Sequence, residues 1–396
     1  MALSEAIYDL VFANLAYSIT GATSSVTTTY AVGYVAEILM TLIGAGFIDR
    51  FDKWKLFLGT QLLNIGVFLC AMVMLSIHDQ SVGLVWLFAF LVDLIHQYSR
   101  LILFALVPFL FGRGDIIVVN GFLGIANATA RAAGPALGAI VIFQIGLPSS
   151  LVTSVGLMLA ALLLGIYLWR EVRLVFEARD TVQENTDSFS QRFHESVTGA
   201  FKATLILGRS KEWRGFLGAY SACVLVIGVL SLLWIPLLRD FHAFSVERTG
   251  YLFAVGTAGA VLGGLALKRL GSEGLLPTLI IASHVLMVVG VCVSLFFKGE
   301  LIAVGVGMFL FQCGAAVYFR STASAIQLSV PREVIGSWYG AIDFISRFVG
   351  LLGILAAGYA YDVVGVYWVY SVLLVLLVMS AWNWIPKRAV RLQTET

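Results

Sequence analysis

The chain has 396 residues, of which 60% are hydrophobic and only 12% charged, with a formal net charge of +2. Soluble domains carry about 25% charged residues, so this composition excludes a soluble globular chain and describes a polytopic membrane protein. The small net charge, with no clustered basic stripe, leaves no footing for nucleic acid.

A spanning helix needs about 20 apolar residues, and that ruler predicts twelve, at approximately 2–20, 26–48, 55–76, 82–111, 117–145, 148–169, 214–238, 249–267, 275–297, 301–320, 334–361 and 364–385. In the first of these, Glu5 and Asp9 stand where a cleavable signal peptide would be basic. The first helix is therefore read as its own insertion signal. The fourth and eleventh are long enough to tilt or to project beyond the bilayer.

The resulting architecture is an all-α integral membrane protein in two pseudo-symmetric six-helix bundles, 1–170 and 214–386. A cytoplasmic linker at 171–213 joins them and a cytoplasmic tail occupies 387–396. In the linker Phe189, Phe193, Val197, Phe201 and Leu205 recur every four residues after Asp187 and Ser188, which predicts an amphipathic helix lying along the inner membrane surface. The two bundles read as diverged copies. Arg131 and Gly134 precede Gly138 in the fifth helix, as Arg347 and Gly350 precede Gly353 in the eleventh.

Gly44 to Lys55, with five charges in an otherwise apolar chain, is read as a short water-facing loop between the second and third helices. Arg50, Lys53, Lys55, Arg113, Lys268, Arg269 and Arg332 fall on the same side as that loop, which the positive-inside rule assigns to the cytoplasm. Both termini are then cytoplasmic, in a cell (inner) membrane. Tryptophans sit near predicted helix ends, Trp54, Trp234, Trp368 and Trp382 among them, and are expected to be interfacial anchors.

Ionisable side chains inside a spanning helix mark functional sites by default. The fourth helix carries Asp93, His96 and Arg100 at spacings of three and four, on one face. Asp93 is the candidate proton carrier, Arg100 its electrostatic control or a packing salt bridge, and His96 a relay or substrate ligand. The first helix adds Asp9 as a candidate for proton coupling or for a cationic substrate, with Asn14 beyond it. Glu5 is expected to be hydrated at the inner interface, and Glu37 stands as a lone acid midway along the second helix. Asp343 and Arg347 lie four apart and can pair, while Arg131 needs a partner from outside its own helix. A carboxylate-bearing cargo would use Arg131 and Arg347. A cationic one would lean on Asp9, Glu37 and Asp93.

Cys70, Cys223, Cys292 and Cys313 lie in apolar runs without CxxC spacing and are read as packing residues. No metal-ligand grouping or phosphate-cradling loop is evident, so neither a metal nor a cofactor is expected, and direct ATP drive is disfavoured. No nucleophile and base recur at a recognisable spacing, so no enzymatic activity is expected.

Two motifs carry a resemblance. The stretch with Gly46, Asp49, Arg50 and Lys53 resembles the loop motif between helices two and three of the major facilitator superfamily. The core Gly134-Pro135-Ala-Leu-Gly138 resembles the fifth-helix motif of that superfamily's proton-coupled exporters, with Ala130 and Ala139 where that motif has its outer glycines. The runs Arg100 to Gly138 and Gln327 to Gly336 look like the macrolide-efflux and siderophore-export branch. The resemblance implies alternating access between paired bundles. Asp49, Arg50 and Lys53 would latch the cytoplasmic gate, and Gly134, Pro135 and Gly138 would permit close helix approach and a kink. The expected function is proton-coupled export of a small amphipathic or chelating molecule by a monomer, with protons, a small-molecule substrate and membrane lipid as partners. The alternatives are an uptake symporter or facilitator of the same architecture and a non-transporting membrane receptor.

Overall fold

A computed structural model describes residues 1–21, 23–77, 81–179 and 202–384, which are helical apart from short connections. In chain order the long helices are α1 (Ala2–Thr20), α2 (Thr23–Arg50), α3 (Lys53–Ile77), α4 (Val82–Leu110), α5 (Ile116–Ile145) and α6 (Leu151–Arg179). They continue as α7 (Lys211–Pro236), α8 (Val246–Leu270), α9 (Leu276–Phe296), α10 (Leu301–Ser329), α11 (Ile335–Val364) and α12 (Val366–Trp382). Residues 202–209 are also helical, and a π-turn at Leu237–Phe241 extends α7.

Ten segments among the described residues are long and apolar enough to cross a membrane, from Thr28–Arg50 through Ile335–Tyr361. Val366–Trp382 is a shorter apolar helix; its 17 residues reach about 26 Å at 1.5 Å per residue. Large apolar side chains point outward: Phe143 is 92% exposed and Ile302 84%. In water such a surface would aggregate, whereas hydrocarbon solvates it. The protein is a multi-pass membrane protein.

Several sequence expectations change. Gly44 to Lys55 is not a loop: α2 runs to Arg50 and α3 begins at Lys53, leaving Phe51 and Asp52 between them. The Asp52 side chain explains the abruptness, because its Oδ1 accepts from the Trp54 amide at 2.9 Å and the Lys55 amide at 3.0 Å. A side-chain cap of this kind starts the next helix at once. α10 extends to Ser329, nine residues past the expected end. Its polar end stays compatible with an apolar surround because Thr322 and Ser324 satisfy their hydroxyls on the Tyr318 and Arg320 carbonyls of the same helix. Trp234 is no interfacial anchor. It is fully buried, edge-on to Phe311 at 5.5 Å between ring centroids. The expected linker helix falls on residues 189–205, of which 189–201 lie outside the described residues, as does the tail.

The chain forms two compact units. The first comprises Met1–Phe111, Ala130–Ala203 and Pro331–Ala341. Its core is built from Tyr8, Val11 and Phe12 of α1 against Phe68 of α3, Val92 of α4 and Met158 of α6. α4 packs on both α2 and α3, and α3 also packs on α6. The second comprises Gly112–Thr129, Thr204–Val330 and Ile342–Thr396. Within it α10 packs against α8 and α9, and α12 against α7 and α9. α5 and α11 each contribute residues to both units.

Candidate functional site

Three helices of the first unit converge on a cavity of about 160 Å³. Four carboxylates line it: Glu5 and Asp9 from α1, Glu37 from α2 and Asp93 from α4. Aromatic and small residues complete the wall, with Phe12, Tyr30 and Tyr34 beside Thr29, Gly33 and Ala89. Helical periodicity explains the convergence. Glu5 and Asp9 are one turn apart on α1, Gly33 and Glu37 one turn apart on α2, and Asp93 shares a face with His96 and Arg100 on α4.

Arg100 organises two of the four acids. Its Nη1 donates to Glu5 Oε1 at 3.0 Å, its Nη2 donates to Glu37 Oε1, and its Nε donates to Gln97 Oε1 at 2.9 Å. Gln97 in turn donates to Thr41 Oγ1 at 2.7 Å, and Thr41 donates to the Glu37 carbonyl. The guanidinium is thus held from three directions, which fixes its fork geometry. Glu5 also lies 3.2 Å from His96 Nε2, and the exposed Arg131 approaches it at 3.9 Å.

Glu5 is therefore not a hydrated interfacial acid as the sequence suggested. It is the hub of a largely buried network, and Glu37 is likewise no lone acid. The signal for Glu5 was its one-turn spacing from Asp9. Nothing in sequence could have shown that α4 supplies its cations. Asp93 accepts from the Tyr8 hydroxyl at 2.9 Å, and Asp9 has no hydrogen-bond or ion-pair partner among the described residues.

Glycines make the site possible. A Cβ at Gly33 would overlap the Asp93 carboxylate, so the carboxylate occupies the space that a side chain there would fill. A Cβ at Gly134 would overlap that of Ala6, and one at Gly138 would meet Leu10 at 3.2 Å. These two α5 positions seat α1 closely, as small residues do between membrane helices, and so set where Glu5 and Asp9 stand. Pro135 is exposed and α5 is continuous through it.

The remaining sequence candidates lie elsewhere. Asn14 is exposed and donates to the Leu10 carbonyl of its own helix at 2.7 Å, away from the cavity lining. Arg347 Nε donates to Asp343 Oδ2 at 2.7 Å within α11, in the second unit. At the far end of α2, Asp49 Oδ1 accepts the Gly336 amide at 2.6 Å, while Oδ2 accepts the Ser337 amide at 2.7 Å and the Ser337 hydroxyl at 2.5 Å. Gly336 and Ser337 are in the first turn of α11, so Asp49 caps that helix from another element. Gly340 packs one turn on against Ala45, and Tyr339 stacks on Phe104 at 3.5 Å between centroids. Gly46 is buried in α2, Arg50 is exposed, and Lys53 is buried with its ammonium 4.0 Å from the Phe109 ring centroid. His284 is a satisfied core residue between the Ile280 carbonyl and Ser380. No grouping of three metal-ligating side chains occurs among the described residues.

Comparison with known proteins extends this geometry. No curated protein matches the chain by sequence. Among solved structures, the human organic anion transporter MFSD10 (TETRAN) is similar at 14% identity and TM-score 0.72, covering 97% of this chain and 96% of that one. A bacterial homologue of the iron transporter ferroportin in an outward-facing state gives 14% identity and TM-score 0.72, over 98% of this chain and 99% of that one. The proton:xylose symporter XylE gives 10% identity and TM-score 0.71, over 97% and 95%. The family model of the Major Facilitator Superfamily matches residues 1–354. A transporter fold shared along the chain and a family match over most of its length make this protein, a transporter rather than an enzyme, a member of the Major Facilitator Superfamily.

Proposed function

We propose that the chain is a proton-coupled secondary transporter that exports a small amphipathic or chelating molecule by alternating access of two six-helix bundles, twelve helices in all, in the cell membrane as a monomer with both termini cytoplasmic. The observation that carries the coupling is the charge balance of the cavity. Four carboxylates line it, and Arg100 is bonded to only two of them. Uncompensated charge inside a membrane protein is costly, so protons on Asp9 and Asp93 are the natural counterions when no cargo is bound. Loading and unloading those protons on opposite sides of the membrane would drive the cycle. Arg131, Arg347 and Asn14 are assigned to cargo contacts along the path, and Asp49, Arg50 and Lys53 to the gate, with the Asp49 cap on α11 as its latch.

The test is reconstitution. A thermal-shift screen of chelators, antibiotics and metabolites supplies a ligand, and its transport is then measured in proteoliposomes under an imposed pH gradient. Asp9→Asn and Asp93→Asn should each abolish gradient-driven transport. Full activity in both would refute the assignment, and accumulation down the proton gradient in the uptake direction would replace export with symport.

A further inference from the structure

Resting on the transport reading above, we propose that the cavity binds a small organic cation between the carboxylates of Asp9 and Asp93, against the aromatic wall of Phe12, Tyr30 and Tyr34. Arg100 divides the four acids into two classes. It holds Glu5 and Glu37 through direct bonds, while Asp93 receives only a neutral phenol hydroxyl from Tyr8. Asp9, half-buried, has no bonding partner among the described residues and lines the cavity. Two carboxylates thus face one cavity with no cation among the described residues bonded to either.

The lining selects among ligand classes. An anion would meet four carboxylates. A sugar would want side-chain amides, and none lines the space among the described residues. A hard divalent ion would want six or more oxygens, and with Glu5 and Glu37 committed to Arg100 the two aspartates offer four. An ammonium gains from both features present, a carboxylate pair and aromatic rings, through ion pairing and cation–π attraction. Gly33 provides the seat for the Asp93 carboxylate, which an added Cβ would displace.

Cation and protons then compete for the same oxygens: a bound cation displaces a proton from Asp9 or Asp93 to solvent, and charge is conserved. The titratable and charged groups around this pair are Glu5 and Tyr8 on α1, and Tyr30, Tyr34 and Glu37 on α2. His96 and Arg100 on α4 and Arg131 on α5 complete the set. The aspartates are the members not already paired with a cation, so the competition centres on them.

The test uses the purified full-length chain and tetraethylammonium, measured by calorimetry at pH 6 and pH 8, with benzoate and Mn²⁺ as charge controls. Tetraethylammonium should bind at pH 8 and weaken by up to roughly tenfold per pH unit on acidification, as one displaced proton requires. Asp9→Asn and Asp93→Asn should each weaken binding at pH 8 by about tenfold or more. Gly33→Ala should weaken it with the carboxylates intact, which keeps the test decisive if an aspartate variant misfolds. Absence of tetraethylammonium binding to the folded wild type, preference for Mn²⁺ or benzoate, or undiminished binding in the folded variants would overturn the proposal. Proton coupling is read separately, from proton release in weak buffer. Binding without proton release refutes the coupling and leaves the cation site standing. Gradient-driven transport of another ligand without tetraethylammonium binding does the reverse.

Discussion

Replacing Asp49 with alanine would strip three donors at the start of α11 of their acceptor: the Gly336 amide, the Ser337 amide and the Ser337 hydroxyl, now held at 2.6, 2.7 and 2.5 Å. A hydrogen bond to a charged group contributes about 1.5–3 kcal/mol. A carboxylate at a helix N-terminus adds about 0.3–1 kcal/mol through the helix dipole. The hydroxyl can turn to another acceptor and the first-turn amides can recruit water, so the sum is not additive. A loss of about 2–4 kcal/mol in the local opening free energy is the reasonable expectation. At 1.4 kcal/mol per decade this is roughly 30- to 1,000-fold faster amide exchange over 331–341. Hydrogen exchange read by mass spectrometry on that peptide, with the 276–296 helix as internal reference, measures it directly. Asp49→Asn keeps one acceptor oxygen but no charge and should fall between wild type and alanine. Exchange in the alanine variant within threefold of wild type would show that Asp49 does not hold α11.

Arg100→Gln leaves Glu5 and Glu37 without their shared guanidinium, a change expected to cost about 3–5 kcal/mol and to lower the melting temperature in detergent; adding Glu5→Gln and Glu37→Gln should recover part of the loss. Gly134→Ala forces its methyl into that of Ala6 and should destabilise by about 1–3 kcal/mol, while Ala6→Gly on the same background restores stability if the contact is the cause. His242, outside the spanning segments, accepts the Gly299 amide on Nδ1 at 3.1 Å. Burial holds its pKa below the usual histidine value, with Lys298 adding to the effect and the Ser294 backbone opposing it. The unfolded chain therefore binds this proton first, and stability falls as pH drops through about 6.5. Thermal melts from pH 7.5 to 5.5 should show that decline in wild type and less of it in His242→Asn; equal slopes would refute the role.

Sequence by itself determined the solvent of this protein and the periodic placement of its charges. Sixty per cent hydrophobic composition admits only a lipid-solvated fold, and ionisable side chains cannot be scattered through such helices without a shared face, so Asp93, His96 and Arg100 were legible as one feature. The Asp52 cap was not read from the sequence, where Gly44 to Lys55 stood as a loop, although Asp52 acts only on the local amides of Trp54 and Lys55. Partnership across helices was not legible. Whether Arg100 serves Asp93 on its own helix or Glu5 and Glu37 on two others depends on how α1, α2 and α4 pack, and that packing is set by shape. Gly33, Gly134 and Gly138 decide it by having no Cβ, a property whose consequence appears only when a neighbour approaches. The tertiary structure therefore turned one helix's charged stripe into a cavity in which two acids are paired and two face the open space.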